Sequence, residues 1–230
     1  MKILYLVLGI TAGYLLGSLS WAIIITKLAT GRDIREMGNR NAGTSNVKRS
    51  VGAPYGICVF FLDVAKSVAP MVLARRFLFT GNGWLDIPAV LAVGMAAIAG
   101  HCRPLYFGFR GGGGVTTSLP IFLFFAPLEF LLTVTVAGGI VYFFVKNVHR
   151  RLTQWLPVGF VLLAPFVLLA VNLSTDVHLY GSLTFGGHPW PVVAGTFALS
   201  FYILGFNWRF MRRRTTEMRQ GPDEDEIDPG

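Results

Sequence analysis

The chain is written in long apolar blocks separated by short polar stretches. Apolar runs cover residues 3–28, 51–72, 87–100, 128–145, 156–173 and 191–206, with a shorter one over 115–126. A helix needs about 20 mostly apolar residues to cross a bilayer, and only helices or closed barrels satisfy their own backbone there. The pattern predicts an all-α polytopic membrane helical bundle of about seven transmembrane segments. The 115–126 run barely reaches across, so it reads as a short or re-entrant helix leading through Pro127 into the full span 128–145. Pro165 is expected to kink the sixth span. In the first span Gly9, Gly13 and Gly17 recur at every fourth position. That spacing makes one small-residue face against which another helix packs closely. The first run is too long for a signal peptide's apolar region and no cleavage site follows it, so it reads as a retained span.

Composition agrees with this reading. The chain is 53% hydrophobic and only 14% charged, too little charge to cover a soluble domain of 230 residues. The pattern is that of one transmembrane domain over 1–214, followed by a polar, acidic tail over 215–230 that is expected to be disordered. Most of the net charge of +8 sits in the stretches 27–50, 101–114, 146–151 and 209–219, all on one side of the predicted spans. Arg75 and Arg76 fall on the other side. The positive-inside rule then predicts an outside N-terminus and a cytoplasmic C-terminus. The charge orients the chain in the bilayer. It lacks the aromatic interleaving that single-stranded nucleic acid needs, so no nucleic-acid partner is expected.

Several chemistries are excluded by pattern. Cys58 and Cys102 form no CxxC, and His149, His178 and His188 have no partners at ligand spacing, so neither a metal nor another cofactor is expected. There is no nucleophile elbow, no nucleotide P-loop, and no HxxxxD motif, since Tyr106 stands where the aspartate would be.

Three segments could carry chemistry. The loop 38–49 holds Gly38, Asn39, Arg40, Asn41, Gly43, Thr44, Asn46, Lys48 and Arg49. It offers amides, guanidinium groups and backbone N–H donors together, as a phosphate monoester requires, or else it is a turn-rich loop whose cations set topology. The segment 101–117 runs from His101 through Arg110, Gly111, Gly112, Gly113 and Gly114 to Thr117. Four glycines before a helix start let backbone N–H groups approach an anion, or else they form a hinge. His101 itself is a possible base or phosphate partner, or a solvated surface histidine. Asp63 and Lys66 lie mid-span at i,i+3 spacing. They are costly in hydrocarbon, so they pair, either to brace the loops or to face a polar cavity.

Together these residues resemble the first two signatures of the bacterial acyl-phosphate:glycerol-3-phosphate acyltransferases. The first resemblance runs through Asp33-Ile34-Arg35, Gly38, Asn41, Gly43, Asn46 and Arg49, and continues in Leu62-Asp63 with Lys66. The second runs through His101, Pro104, Gly108-Phe109, Gly111-Gly112, Gly114-Val115 and Thr117. The similarity covers about residues 17–119; the later helices match in kind only. It implies a seven-helix protein of the bacterial plasma (inner) membrane with acyl phosphate and glycerol-3-phosphate as substrates, lysophosphatidic acid and phosphate as products, and no cofactor. It also implies site roles. Arg49 binds the acceptor phosphate, and Asn41 and Asn46 shape that pocket. Arg110, Gly111, Gly112, Gly113, Gly114 and Thr117 hold the acyl phosphate. Asn39 and His101 occupy catalytic positions, and Asp63 with Lys66 braces the site. The chain departs from the family pattern at three places: Asn39 stands for a serine, Gly113 for a lysine, and the stretch 206–212 lacks a histidine. Two other readings remain open here: a diverged relative that binds a lipid phosphate or regulates a partner, and a small anion transporter.

Overall fold

The computed structural model describes residues 1–80, 86–145, 155–174 and 190–220, with 174 and 206–220 described by backbone alone. The described residues are helical throughout apart from turns and loops. In chain order the helices are α1 (Lys2–Gly17), α2 (Trp21–Thr30), α3 (Thr44–Ser50), α4 (Ala53–Leu73), α5 (Asp86–Cys102), α6 (Val115–Phe125), α7 (Pro127–Phe144), α8 (Leu156–Ser174) and α9 (Trp190–Gln220). Five stretches are long and apolar enough to cross a bilayer: Lys2–Thr30, Ala53–Leu78, Asp86–Phe107, Pro127–Phe144 and Leu156–Leu173. Val115–Phe125 and Trp190–Gly205 are the shorter apolar helices. Each of the seven expected segments is helical, and five of them reach the length and apolarity a span needs. The expected tail boundary at 214 falls inside α9, which runs on to Gln220. The basic loop 146–151, His149, His178, His188 and the tail from 221 lie outside the described residues.

The first span differs from its expected single helix. It breaks between Gly17 and Trp21, where Ser18 turns its hydroxyl back onto the Tyr14 carbonyl (2.8 Å) and Ser20 adopts an extended backbone. A break in a membrane helix frees backbone carbonyls that need a donor. Leu19 finds one in the Lys66 ammonium, 2.8 Å away on α4.

α5 runs through the middle of the bundle. Its Val90, Val93 and Ile98 share a core with Met71 of α4, Ile121 of α6, Phe160 of α8 and Leu199 of α9. Phe160 also packs edge-on against Phe122 and Phe130, with ring centroids 5.1 Å apart in both pairs. α1 lies along α5 on the predicted glycine face. A methyl group on Gly13 would stand 2.6 Å from the Val93 carbonyl oxygen, and one on Gly17 would collide with the Ala97 carbonyl. Backbone cannot yield as a side chain can, so Gly17→Ala is expected to cost about 1–3 kcal/mol. Thermal unfolding in detergent reads this out against Gly139→Ala, whose new methyl meets nothing within 4 Å. Equal unfolding temperatures for the two variants would show that α1 does not depend on this close approach.

Candidate active site

Two loops at one end of the bundle fold onto each other and onto the ends of α2, α4 and α5. The first begins where Gly31, in the left-handed region at φ 74°, closes α2 with its N–H on the Lys27 carbonyl. Asp33 then caps the short 3₁₀ turn Ile34–Glu36 by accepting from the Arg35 N–H. The loop 38–50 is built around Asn46, which is 1% exposed. The Asn46 amide nitrogen lies within hydrogen-bond distance of the Ile34, Met37 and Asn41 carbonyls (2.9–3.2 Å). Its Oδ1 accepts from the Asn39 N–H and the Ser50 hydroxyl. Asn46 thus braces the loop from inside, with its amide spent on protein partners. Asn39 accepts from the Asn41 N–H through its own Oδ1 (3.1 Å). The half-buried amide nitrogen of Asn39 and side chain of Asn41 make no hydrogen bond among the described residues and are the groups left for a ligand.

The second loop leaves α5 at Cys102 and re-enters the bundle at α6. Its glycines are explained chiefly by close packing. A methyl on Gly112 would meet the His101 imidazole and lie 2.5 Å from the Ala42 carbonyl oxygen. One on Gly111 would meet the His101 carbonyl. Gly114 has φ 77°, and its methyl would lie 2.8 Å from Cys102 Sγ. Two N–H groups of the expected anion cradle have partners within the protein. The Gly111 N–H donates to the Cys102 carbonyl (3.2 Å) and the Gly112 N–H to the His101 carbonyl (3.1 Å), so both are spent on the end of α5. The N–H groups of the first turn of α6 lack intrahelical acceptors. Gly113 is not among the positive-φ glycines, so backbone conformation does not demand glycine there. Thr117 is fully buried and its Oγ1 makes no hydrogen bond among the described residues, so it faces the interior of the protein and not an open surface.

Arg35 ties the loops together. Its Nε and Nη2 grip the Asp33 carboxylate at 2.7–3.1 Å, while Nη1 donates to the Phe107 carbonyl (2.7 Å) and the Arg110 carbonyl (3.2 Å). This guanidinium holds the Asp33 carboxyl below its ordinary pKa. Arg35 is a positioning residue that the sequence marks only as part of a signature. The Asp-x-Arg spacing makes the local pair legible, but its far carbonyls lie more than 70 positions along the chain.

Beneath the loops runs a buried line of charge. Lys66 Nζ lies 2.8 Å from Asp63 Oδ1, and His101 Nδ1 lies 3.7 Å from the same oxygen. All three side chains are at most 4% exposed. His101 is therefore an interior residue, contrary to the reading of a solvated surface histidine. Its ring stands between Asp63 and the contact of Gly112 with Ala42. By contrast Arg40, Lys48, Arg49 and Arg110 are exposed, and their side chains make no hydrogen bond or ion pair among the described residues. A surface carrying several unpaired cations attracts anions before any specific contact forms. No group of three metal-ligating side chains occurs among the described residues.

Residues 7–179 match the family model of glycerol-3-phosphate acyltransferase. The glycerol-3-phosphate acyltransferase of Anaeromyxobacter sp. (strain Fw109-5) is 41% identical over 133 residues, 58% of this chain and 62% of that protein. That of Shouchella clausii (strain KSM-K16) is 49% identical over 120 residues, 52% of this chain and 56% of that protein. The chain thus spans about 56–62% of the length of these two relatives. Among solved structures, the crystal structure of PlsY, an integral membrane glycerol 3-phosphate acyltransferase, in its glycerol 3-phosphate form superposes with a TM-score of 0.70 at 25% identity over 92% of both chains. Its lysophosphatidic acid form gives 0.68 over the same share. The all-helical membrane architecture is therefore shared with a solved protein over nearly the whole chain.

Proposed function

Since this chain belongs to the glycerol-3-phosphate acyltransferase family, we propose that it moves a fatty acyl group from acyl phosphate to the sn-1 hydroxyl of glycerol-3-phosphate in the bacterial inner membrane. The observation that carries the reading is the meeting of the two signature loops, Gly112 on Ala42 with the His101 ring beneath and Arg35 clamping across. Acyl phosphate is a mixed anhydride with a good leaving group. The hydroxyl oxygen attacks the acyl carbonyl carbon, the bond from that carbon to the phosphate oxygen breaks, and the departing phosphate can take the hydroxyl proton. The protein's work is then to hold two anions and aim one hydroxyl, which is positioning and electrostatic stabilisation. In this scheme Arg49 grips the acceptor phosphate and Asn41 lines its place. Asn39, whose amide can donate to the hydroxyl oxygen but cannot act as a base, orients it. Arg110 and the first turn of α6 face the acyl phosphate. His101, held by Asp63, supports the glycine run from below.

The test is phosphate release by purified protein given acyl phosphate and glycerol-3-phosphate. Release that needs both, with lysophosphatidic acid formed, is expected; release with either alone, or none, would overturn the reading. Within the same assay Arg49→Ala is expected to raise the KM for glycerol-3-phosphate. One charge-assisted contact in a partly desolvated site is worth about 1.5–3 kcal/mol, or roughly ten- to a hundredfold. An unchanged acceptor KM in folded variant protein would remove Arg49 from the site.

We also propose an outside N-terminus and a cytoplasmic C-terminus, on the distribution of Lys and Arg. In a cysteine-less background in intact cells, an impermeant thiol reagent should label Ser182→Cys and spare Thr216→Cys. The reverse pattern would invert the topology.

A further inference from the structure

The turn that precedes the glycine run holds three large apolar side chains in the open. Leu105, Tyr106 and Phe109 are 45%, 52% and 50% exposed. The backbone beneath them is firmly held. The N–H groups of Phe107 and Phe109 both donate to the Pro104 carbonyl (3.2 and 3.0 Å), Arg35 grips the Phe107 and Arg110 carbonyls, and the Tyr14 hydroxyl donates to the Arg103 carbonyl (2.8 Å). Phe109 sits at φ 58°, in the left-handed region that bulky residues rarely occupy. Three apolar side chains on one fixed turn, one of them on unfavourable backbone, are held outward by the fold.

The depth of this turn follows from its inward neighbour. Phe107 packs into a cluster with Ala22 and Ile23 of α2, Ile34, and Val59 of α4. At that level the outer faces of the same helices are also apolar: Leu28 is 82% exposed, Ile57 55% and Phe61 64%. These faces belong to stretches apolar enough to span a bilayer, so hydrocarbon covers them and the turn stands at its edge. Arg103 and Arg110 flank the turn, and both are exposed. Aromatic side chains favour the headgroup zone of a bilayer, and cations beside them meet lipid phosphates.

We infer that residues 105–109 form a foot seated in the phospholipid headgroup zone, and that its depth sets the height at which a long-chain acyl phosphate meets the glycine run. The occupant of this surface is bilayer lipid. The chain continues from the foot through Arg110 directly into Gly111, so any movement of the foot is passed to the start of α6. The claim about depth stands on geometry alone, whereas the claim about donor height rests on the proposed acyltransferase reading.

Depth is tested with Tyr106→Cys in a Cys58→Ala background, labelled with a small fluorophore and reconstituted in vesicles of phosphatidylglycerol and phosphatidylethanolamine. Leu105→Cys serves as a second label site should the first disturb folding. Headgroup nitroxide lipids are expected to quench the label strongly, mid-chain nitroxides less, and aqueous iodide less than at an exposed Glu36→Cys control. Iodide quenching equal to that control, or no quenching by either agent because a second copy covers the turn, would overturn the inference. The functional arm compares Tyr106→Ser/Phe109→Ser with Tyr106→Leu/Phe109→Leu. The serine pair is expected to raise the KM for acyl phosphate by about tenfold by losing apolar contact with the interface, with the KM for glycerol-3-phosphate little changed and the leucine pair near wild type. Equal effects on both substrates would overturn the donor claim. An inactive wild type whose label is still quenched by headgroup nitroxides would overturn the acyltransferase reading and leave the foot standing.

Discussion

Lys66→Met is expected to destabilise the protein by about 3–5 kcal/mol, because it strips the partner from a carboxylate that has no access to water. Lys66 Nζ lies 2.8 Å from Asp63 Oδ1, with the two side chains 3% and 1% exposed. The same ammonium donates to the Leu19 carbonyl, at the break between α1 and α2. One substitution therefore leaves the Asp63 charge with only the His101 ring, 3.7 Å away, and the Leu19 carbonyl without its donor, in the interior of a membrane bundle. Adding Asp63→Leu removes the stranded charge, and the double variant is expected to recover most of the loss. The Leu19 carbonyl still wants a donor, so a residue of about 1–3 kcal/mol should persist. Thermal unfolding of the single and double variants in detergent measures both amounts. A single variant as stable as the wild type would mean the pair is not buried. A double variant as weak as the single would mean Lys66 matters for Leu19 and not for Asp63.

This arrangement also shows what the sequence can and cannot carry. Spans were legible because hydropathy over twenty residues is a bulk property, and the Gly9, Gly13 and Gly17 face was legible because helical spacing alone aligns it. The i,i+3 pairing of Asp63 with Lys66 was legible for the same reason. The break after Gly17 was not, since two serines among apolar neighbours hardly lower a hydropathy average. The donor that receives the freed Leu19 carbonyl is a lysine on another helix, 47 positions along the chain. His101 illustrates a related failure. It stands beside a basic, glycine-rich loop and so looks solvated, but α5 carries it through its last turn and α4 covers it. Composition leaves the glycine run open as an anion cradle or a hinge, because glycine permits both close ligand approach and close packing. The choice between them depends on Ala42, the His101 ring and the carbonyls ending α5, whose places the tertiary fold decides.

Arg35→Ala is expected to lower kcat/KM for the proposed reaction by about a hundredfold, a loss near 3 kcal/mol for charge-assisted contacts that span two loops. Arg35 is only partly exposed, at 28% of its side chain, so solvent screening weakens these contacts without cancelling them. Its planar fork does two tasks that a lysine cannot share. One edge meets both oxygens of Asp33, and Nη1 reaches the carbonyls of Phe107 and Arg110. An ammonium is a point donor on a flexible stem, so Arg35→Lys should recover little. The sign with pH follows from Asp33, whose carboxyl lies below its ordinary pKa in the folded protein. Its pairing therefore contributes fully above the unfolded carboxyl value and is lost as pH falls through the lower folded one. Arg35→Ala should abolish that acid-side contribution to stability, since Asp33 then titrates near its ordinary value. The clamp acts through the geometry of both loops, so the variant should raise the KM for each substrate and lower kcat, whereas Arg49→Ala should act mainly on the acceptor. Steady-state kinetics with each substrate varied separates the two cases. A folded Arg35→Ala protein with wild-type kcat/KM, or one fully rescued by lysine, would show that the loops hold their places without the guanidinium bridge.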